Sequence, residues 1–278
     1  MTRTLTLGYS PCPNDTFIFY ALIHGRIPLP GLAVRERLED VETLNQLALS
    51  GALDLTKVSY HALGHLRSEY ALLRSGGALG RGCGPLVISR GKTTMEALRG
   101  RRIAIPGRLT TANLLLQLYG EGYEDVLVLP FHEIMDAVAA GEAEAGVIIH
   151  ESRFTFLDQG FVELCDLGRW WEEETGHPIP LGGILARRSL GAEMIGLIDR
   201  AIRSSLKYAR AHPEETRAYI GHHAQELDNK VVASHIDLYV SDFSLNLGEE
   251  GVGAVEDLLR RAEERGLIPS CERPLFLS

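Results

Sequence analysis

The apolar residues of this chain recur with two different spacings, and these spacings alternate along the sequence. Short continuous apolar runs, typical of buried strands, fit residues 5–9, 34–38, 85–90, 102–105, 126–129 and 182–187. Helical periods fit residues 16–24, 112–119 and, beyond residue 190, four further segments at 194–211, 214–221, 228–240 and 250–265. Strands that alternate with helices predict parallel βαβ units, followed here by a helical tail.

One helix-to-strand pattern occurs twice, in residues 44–60 and 134–150, and the copies align without a gap. The alignment matches Gly51 with Gly141 and Tyr60 with His150. In each copy an apolar helical period ends at a glycine that can adopt the left-handed conformation, and a short apolar strand follows. The repeat predicts two similar lobes; the alternative is a chance match between generic α/β segments.

Ligands of open α/β sheets bind beyond the carboxyl ends of the strands. We therefore expect Lys57, Ser59, Tyr60 and His150, which end the two repeated strands, to face a shared cleft. Residues 106–112 and 10–15 each connect a strand to a helix, so they would direct free backbone N–H groups into the same cleft. Thr110 or Thr111 can cap the second helix or donate a hydroxyl to a bound carboxylate, and a plain cap is the simpler role.

These elements predict a hinged, two-domain α/β protein. Residues 1–88 and 188–278 would form a larger discontinuous lobe that includes the helical tail, and residues 89–187 a smaller lobe. The crossovers between the lobes are expected near residues 85–90 and 182–187.

Composition narrows the function classes. With 45% hydrophobic and 23% charged residues, the 278-residue chain is an ordinary globular protein. Its formal net charge of −9 argues against nonspecific nucleic-acid binding, although local donors can still hold a small anion. No apolar run approaches the length of a membrane span, and the first residues lead into a strand rather than a secretory segment. We therefore expect no membrane association and a cytoplasmic location.

His150 is the strongest candidate for catalysis, because it ends an apolar strand, where a titratable side chain is unusual. Histidine changes charge near neutral pH and is a common general base for deprotonating carbon acids. Glu151 or Arg153 can tune it. The alternative is a structural histidine whose hydrogen bonds are satisfied.

The sequence indicates neither a metal site nor a cofactor site. His61 and His65 have helical spacing, but no HExxH pattern or third ligand accompanies them. The four cysteines form no CxxC pair, and the glycine-rich segment 74–82 lacks both nucleotide-binding glycine motifs. Trp170 and Trp171 fit either a cleft wall or packing between the lobes.

Several sequence segments together resemble the 1,4-dihydroxy-6-naphthoate synthase family of the futalosine route to menaquinone, and the resemblance runs nearly end to end. They are SPCPNDTFIFY at 10–20, LEDVETLN at 38–45, TKVSY at 56–60, RSGGALG at 74–80, TTA at 110–112 and IHESRFT at 149–155. The related chorismate dehydratases share the fold but are not expected to combine the first and last of these motifs.

The resemblance implies a two-lobed, periplasmic-binding-protein-like (type II) α/β fold with a ligand cleft between the lobes. It further implies a cofactor-free lyase that converts cyclic dehypoxanthine futalosine, an anionic carboxylate, into 1,4-dihydroxy-6-naphthoate and releases dihydroxyacetone. By the same match His150 is the general base, and Lys57, Val58, Ser59, Thr111 and Ala112 line the substrate. Loop geometry adds Ser10, Asn14 and Asp15 as candidate substrate-binding residues.

Two other functions remain open from the sequence. A cytoplasmic protein that binds or senses a small anion would use the same architecture without chemistry, and chorismate dehydratase would use it for another reaction. The sequence makes no prediction of the oligomeric state.

Overall fold

The computed structural model describes residues 2–150, 152–224 and 228–277, and strands alternate with helices over most of the chain. The strands are β1 (Arg3–Tyr9), β2 (Leu32–Leu38), β3 (Leu55–Ser59), β4 (Tyr70–Leu72), β5 (Ala78–Gly80), β6 (Leu86–Ser89), β7 (Ile103–Ile105), β8 (Val126–Val128), β9 (Ala145–Ile148), β10 (Val162–Asp166) and β11 (Ile179–Arg187). The helices are α1 (Pro13–Ile23), α2 (Val41–Leu49), α3 (Tyr60–Leu66), α4 (Thr111–Tyr119), α5 (Ile134–Ala140), α6 (Ser152–Thr155), α7 (Leu167–Thr175), α8 (Ala192–Ala211), α9 (Pro213–His223), α10 (Asn229–Tyr239), α11 (Asp242–Leu245) and α12 (Gly248–Glu264).

The strands form two sheets with the same topology. In the first sheet the order is β2-β1-β3-β11-β4, with β5 also paired to β11. In the second sheet the order is β8-β7-β9-β6-β10. Each sheet has three neighbouring parallel strands and then an antiparallel strand, β11 or β6, that arrives from a distant part of the chain. The mixed α/β class predicted from the sequence is confirmed.

The predicted repeat occupies equivalent places in the two sheets. Gly51 follows α2 with φ +65°, and Gly141 follows α5 with φ +77°, so both glycines adopt the left-handed conformation that ends a helix. The strands that follow, β3 and β9, each lie between the first parallel strand of their sheet and the antiparallel strand. The match between the copies is therefore structural and not a chance resemblance.

The strands at the crossovers predicted near residues 85–90 and 182–187 are β6 and β11. Strand β6 pairs with β9 in the second sheet, whereas the sequence placed most of it in the larger lobe. Strand β11 pairs with β3 and β4 in the first sheet, whereas the sequence placed it in the smaller lobe. A crossover strand hydrogen-bonds to the sheet that it enters, so the chain changes sheet before β6 and again before β11.

Buried side chains pack on both faces of the sheets. Helices α1 and α8 cover one face of the first sheet, and the predicted apolar stripe of α8 is buried there at Ile195, Ile198, Ile202 and Leu206. A second cluster joins residues of both sheets to α3, α4 and α12. This packing removes the apolar stripes of the helices from water. No helix among the described residues is both long and apolar enough to cross a membrane.

Candidate active site

A cavity of about 90 Å³ is lined by the last residues of β3 and by residues that follow β1, β7 and β9, and thus by strand ends from both sheets. The nine residues predicted to be catalytic or substrate-binding all line it: Ser10, Asn14, Asp15, Lys57, Val58, Ser59, Thr111, Ala112 and His150. The structure brings them together because the carboxyl ends of parallel strands lie at one edge of a sheet. Lining residues that the sequence did not indicate include Val41, Ala78, Leu181 and Tyr239.

A buried ion pair forms one wall of the cavity. Lys57 Nζ donates to Asp15 Oδ1 at 2.8 Å and to the Gly76 carbonyl oxygen at 3.2 Å. The Ser10 hydroxyl donates to Asp15 Oδ2 at 2.8 Å, and the Asn14 amide donates to Asp15 Oδ1 at 2.9 Å. A buried charge needs a partner and further hydrogen bonds, and this network supplies both. The charge of Lys57 is consequently balanced by Asp15 before any ligand arrives.

The N-terminus of α4 forms another part of the cavity wall. Thr110 caps the helix, because its hydroxyl accepts the Asn113 N–H at 3.3 Å. The Thr111 hydroxyl instead accepts the Tyr60 N–H at 3.0 Å and donates to the Leu181 carbonyl oxygen at 2.5 Å. Thr111 thus connects α4 to the start of α3 and to β11, and the first N–H groups of α4 have no acceptor within the helix.

Two polar side chains on α2, those of Glu42 and Asn45, accept hydrogen bonds from the backbone of neighbouring segments. The Glu42 carboxylate accepts the Leu109 N–H, with N···O distances of 3.2 and 3.4 Å, and links α2 to the loop before α4. Burial raises the pKa of Glu42 above its ordinary value. Asn45, which is fully buried, accepts the Ser59 N–H at 3.0 Å and so fixes the end of β3.

His150 is held in an unusual backbone conformation at the cavity. Its φ is +56°, in the left-handed region, which costs a residue with a side chain about 1–2 kcal/mol. Its Nδ1 lies 3.8 Å from Cys12 Sγ, and its ring centroid lies 5.0 Å from that of Phe131. Strained conformations of this kind persist where surrounding contacts enforce them, which is common at functional sites.

The helical tail contributes a second histidine that sequence reasoning missed. The His235 ring on α10 is fully buried and stacks on His150, with centroids 5.9 Å apart and planes inclined by 22°. Burial, followed by the charges of His150 and Lys57, lowers the pKa of His235 well below its ordinary value, so His235 is neutral at pH 7. Helical spacing puts His235 and Tyr239 on one face of α10. Only the tertiary structure shows that this face points to the cavity.

Tyr60 does not face the cleft, and the prediction that it does is wrong. Helix α3 begins at Tyr60, and its side chain is fully buried in the cluster between the sheets. Its hydroxyl has no hydrogen-bond partner among the described residues, and burial raises the pKa of this phenol. The backbone N–H of Tyr60 reaches the site through Thr111, whereas its side chain does not.

The other residues singled out from the sequence have structural contacts. Arg153 donates to Asp166 Oδ2 at 2.7 Å and to the Gly84 carbonyl oxygen at 2.5 Å, so it ties the segment after His150 to the residues before β6. Glu151 lies outside the described residues. Trp171 is fully buried and Trp170 packs against Tyr119, and neither is among the described lining of the cavity, which favours packing over a cleft wall. No group of three His, Cys, Asp or Glu side chains in the described part of the chain is arranged to hold a metal ion.

The comparisons with known proteins agree on a single family. A family described as menaquinone biosynthesis matches residues 5–264. A 1,4-dihydroxy-6-naphthoate synthase of Thermus thermophilus is 56% identical over 99% of this chain and 100% of its own length. The synthase of Streptomyces coelicolor is 48% identical over 96% of this chain and 95% of its own.

Solved structures extend the comparison to the fold. A protein of Archaeoglobus fulgidus superposes with a TM-score of 0.89 and 36% identity, covering 95% of this chain and 98% of that one. The periplasmic aliphatic sulphonate binding protein of Escherichia coli superposes with a TM-score of 0.66 and 15% identity, covering 97% and 90%. At that identity the likeness concerns the fold alone. It confirms the periplasmic-binding-protein-like architecture predicted from the sequence.

Proposed function

Because the chain belongs to the menaquinone-biosynthesis family, we propose that it is a 1,4-dihydroxy-6-naphthoate synthase. It converts cyclic dehypoxanthine futalosine into 1,4-dihydroxy-6-naphthoate and releases dihydroxyacetone. One structural observation supports this function in addition to family membership: His150 and the eight residues predicted to bind the substrate line the same cavity. A biosynthetic role also fits the cytoplasmic location predicted from the sequence.

In this proposal His150 is the general base. Removal of a proton from the spiro-ring substrate starts ring opening and cleavage of a carbon–carbon bond, and aromatisation of the naphthalene drives the reaction forward. The left-handed backbone of His150 and the rings of Phe131 and His235 limit the positions open to the imidazole. A fixed base close to the reacting carbon lowers the entropic part of the barrier.

The substrate carboxylate is assigned to the N-terminus of α4. The free N–H groups there and the helix dipole favour an anion, and Thr111 and Ala112 lie at the cavity wall. Lys57 is a weaker anchor than the sequence suggested, because Asp15 already balances its charge. We assign the Lys57–Asp15 pair, with Ser10 and Asn14, to orienting the hydroxyl groups of the substrate.

The two sheets are proposed as the cores of two lobes that close over the substrate. Glu42 and Leu109, and Thr111 and Leu181, join parts of the chain that belong to different sheets. Closure around these contacts would exclude water from the reacting carbon.

The test is to incubate the purified protein with cyclic dehypoxanthine futalosine and to follow the products by mass and ultraviolet absorbance. We expect 1,4-dihydroxy-6-naphthoate and dihydroxyacetone in equal amounts. If the substrate binds but is recovered unchanged, the assignment of lyase activity is wrong and a binding or sensor protein is favoured. Conversion of the chorismate dehydratase substrate instead would assign the other reaction.

His150→Asn is the matched variant for the base. Asparagine tolerates the left-handed conformation better than most residues, so the variant removes the imidazole with little change in backbone strain. We expect kcat to fall by at least about 10²-fold while substrate binding stays close to that of the parent protein. Near-normal turnover would contradict the assignment of His150 as the base.

A further inference from the structure

A second, smaller chamber lies beside the cavity. Its volume is about 60 Å³, and its described lining consists of Ser10, Pro11, Cys12, Asp40, Val41, Phe131 and His150. Three of these residues, Ser10, Val41 and His150, also line the larger cavity. They therefore separate the two spaces, and His150 borders both.

The two chambers differ in chemistry. The larger one combines the Lys57–Asp15 wall and the N-terminus of α4 with apolar side chains such as Val58, Ala112 and Leu181, which suit a ring system that carries a carboxylate. The smaller one presents the Ser10 hydroxyl, the Cys12 thiol and the Asp40 carboxylate beside Phe131. Hydroxyl and carboxylate oxygens recognise a small polyhydroxy compound through hydrogen bonds.

The polar groups of the smaller chamber are fixed in place. Asp40 caps α2, where its Oδ1 accepts the Glu42 and Thr43 N–H groups at 3.0 and 3.1 Å. The Ser10 hydroxyl donates to Asp15, so its lone pairs remain as acceptors. One water needs about 10–15 Å³ by this kind of measure, so 60 Å³ accommodates a molecule of a few non-hydrogen atoms.

We propose that the smaller chamber is the subsite for the three-carbon dihydroxyketone fragment, while the larger cavity holds the part of the substrate that becomes the naphthoate. This assignment rests on the proposed function. The bond that breaks then lies at the boundary between the chambers, beside the imidazole of His150. Each product is left in a chamber whose lining matches its chemistry.

Cys12 belongs to the described lining of the smaller chamber and not to that of the larger one, so a larger side chain at this position fills the smaller chamber directly; Cys12 contacts the lining of the larger cavity at His150. Cys12→Leu adds two non-hydrogen atoms, whereas Cys12→Ser keeps the number of non-hydrogen atoms and measures the effect of replacing the sulfur near His150 by the smaller oxygen. Cys271→Leu is the control for an added leucine, because Cys271 lies in the C-terminal segment and does not line either chamber.

Three constants are measured for each protein: KM for cyclic dehypoxanthine futalosine, the inhibition constant of added dihydroxyacetone, and Kd for 1,4-dihydroxy-6-naphthoate. Extra side-chain atoms in a packed site are unfavourable, because they compete with the bound group for the same space. In Cys12→Leu we therefore expect the first two constants to rise by at least about tenfold and the naphthoate Kd to stay within about twofold. Cys12→Ser should show a smaller rise in both, and Cys271→Leu should behave like the parent protein.

Two outcomes would overturn the assignment of the smaller chamber as a subsite. The first is that Cys12→Leu leaves KM and dihydroxyacetone inhibition unchanged. The second is that it weakens naphthoate binding as much as dihydroxyacetone inhibition, which would make the chambers one site. Either result with normal turnover in the parent protein leaves the proposed function intact. If the parent protein forms no dihydroxynaphthoate, both the proposed function and the assignment of the subsite are wrong.

Discussion

The two copies of the helix–glycine–strand repeat place equivalent strands in the two sheets, but the residue that ends each copy has a different role. After β3 the chain enters α3 at once, so Tyr60 turns into the core and the histidine that follows it, His61, is buried as well. After β9 no helix begins at the matching residue, and His150 stays half-buried at the cavity in a left-handed conformation. The comparison teaches that a repeat predicts where a strand ends, whereas the segment after the strand decides whether its last side chain serves packing or chemistry.

The copies also differ within the strand. Lys57 lies in β3, and the matching residue of β9 is Val147, which is fully buried in the apolar core. Only the first copy therefore supplies an ion pair to the cavity wall. The first copy contributes substrate-binding groups and the second contributes the candidate base.

The largest expected effect comes from making the first copy resemble the second. Lys57→Val leaves the Asp15 carboxylate buried without its cation, which typically costs 3–5 kcal/mol, so we expect the free energy of unfolding in urea at pH 7 to fall by about that amount. Lys57→Val combined with Asp15→Asn removes both charges and should recover part of the loss. A single variant as stable as the parent would show that the ion pair is not needed to hold this wall.

The second prediction concerns how the protonation of His61, the histidine beside Tyr60 in the first copy, changes stability with pH. Burial lowers the pKa of His61 from 6.5 to about 4, and its Nδ1 lies 3.3 Å from the Thr110 carbonyl oxygen. Between these two values the unfolded chain binds a proton that folded His61 does not, so stability falls as pH decreases from 6.5 to 4. The full effect is on the order of 3 kcal/mol.

His61→Asn keeps a donor for Thr110 and removes the titration. Its free energy of unfolding should decrease less between pH 6.5 and 4 than that of the parent protein. His65, His223 and His235, whose pKa values are also lowered by burial, contribute to the slope that remains, as do carboxyl groups that titrate near pH 4. An unchanged slope would mean that His61 is protonated equally in the folded and unfolded states.

The third prediction compares the two helix-ending glycines. Alanine costs about 1–2 kcal/mol in the left-handed conformation at either position. A Cβ at Gly51 would also lie 2.8 Å from the Arg187 guanidinium, which donates to the Leu53 carbonyl oxygen, whereas nothing lies within 4 Å of a Cβ at Gly141. Gly51→Ala should therefore destabilise the protein more than Gly141→Ala in urea unfolding. The reverse order would contradict the packing described around Gly51.

The smallest effect concerns the ring stacked on His150. His235→Phe keeps an aromatic face against the imidazole, and His235→Leu removes it. Aromatic pairs contribute about 0.5–1.5 kcal/mol beyond their buried area, so the leucine variant should lose about two- to tenfold more kcat than the phenylalanine variant. The melting temperature of each variant separates this effect from a loss of fold. Equal rates in the two variants would show that the stack does not position His150.

Much of the site was accessible from the sequence because its residues end strands or begin helices. Ser10, Lys57, Ser59, Thr111 and His150 are local features of the α/β pattern, and the strands carry all of them to one edge. Cys12, Val41 and Phe131 were not assigned to the site, since their positions depend on how the loops of the two sheets face one another. His235 and Tyr239 were missed because the tail gave no indication of which helix face would be buried.

The sequence by itself determined most of the strands and helices, the repeat with its glycine stops, and the residue types able to do the chemistry, whereas β4, β5 and β10 were not predicted. These features depend on neighbours in the chain, through apolar periodicity and backbone conformation. The tertiary structure alone decided which sheet receives β6 and β11, that Tyr60 turns inward, that Asp15 balances Lys57, and that α10 places His235 on His150. Those outcomes depend on contacts between segments far apart in the chain, and a local pattern of apolar and polar residues cannot specify their partners.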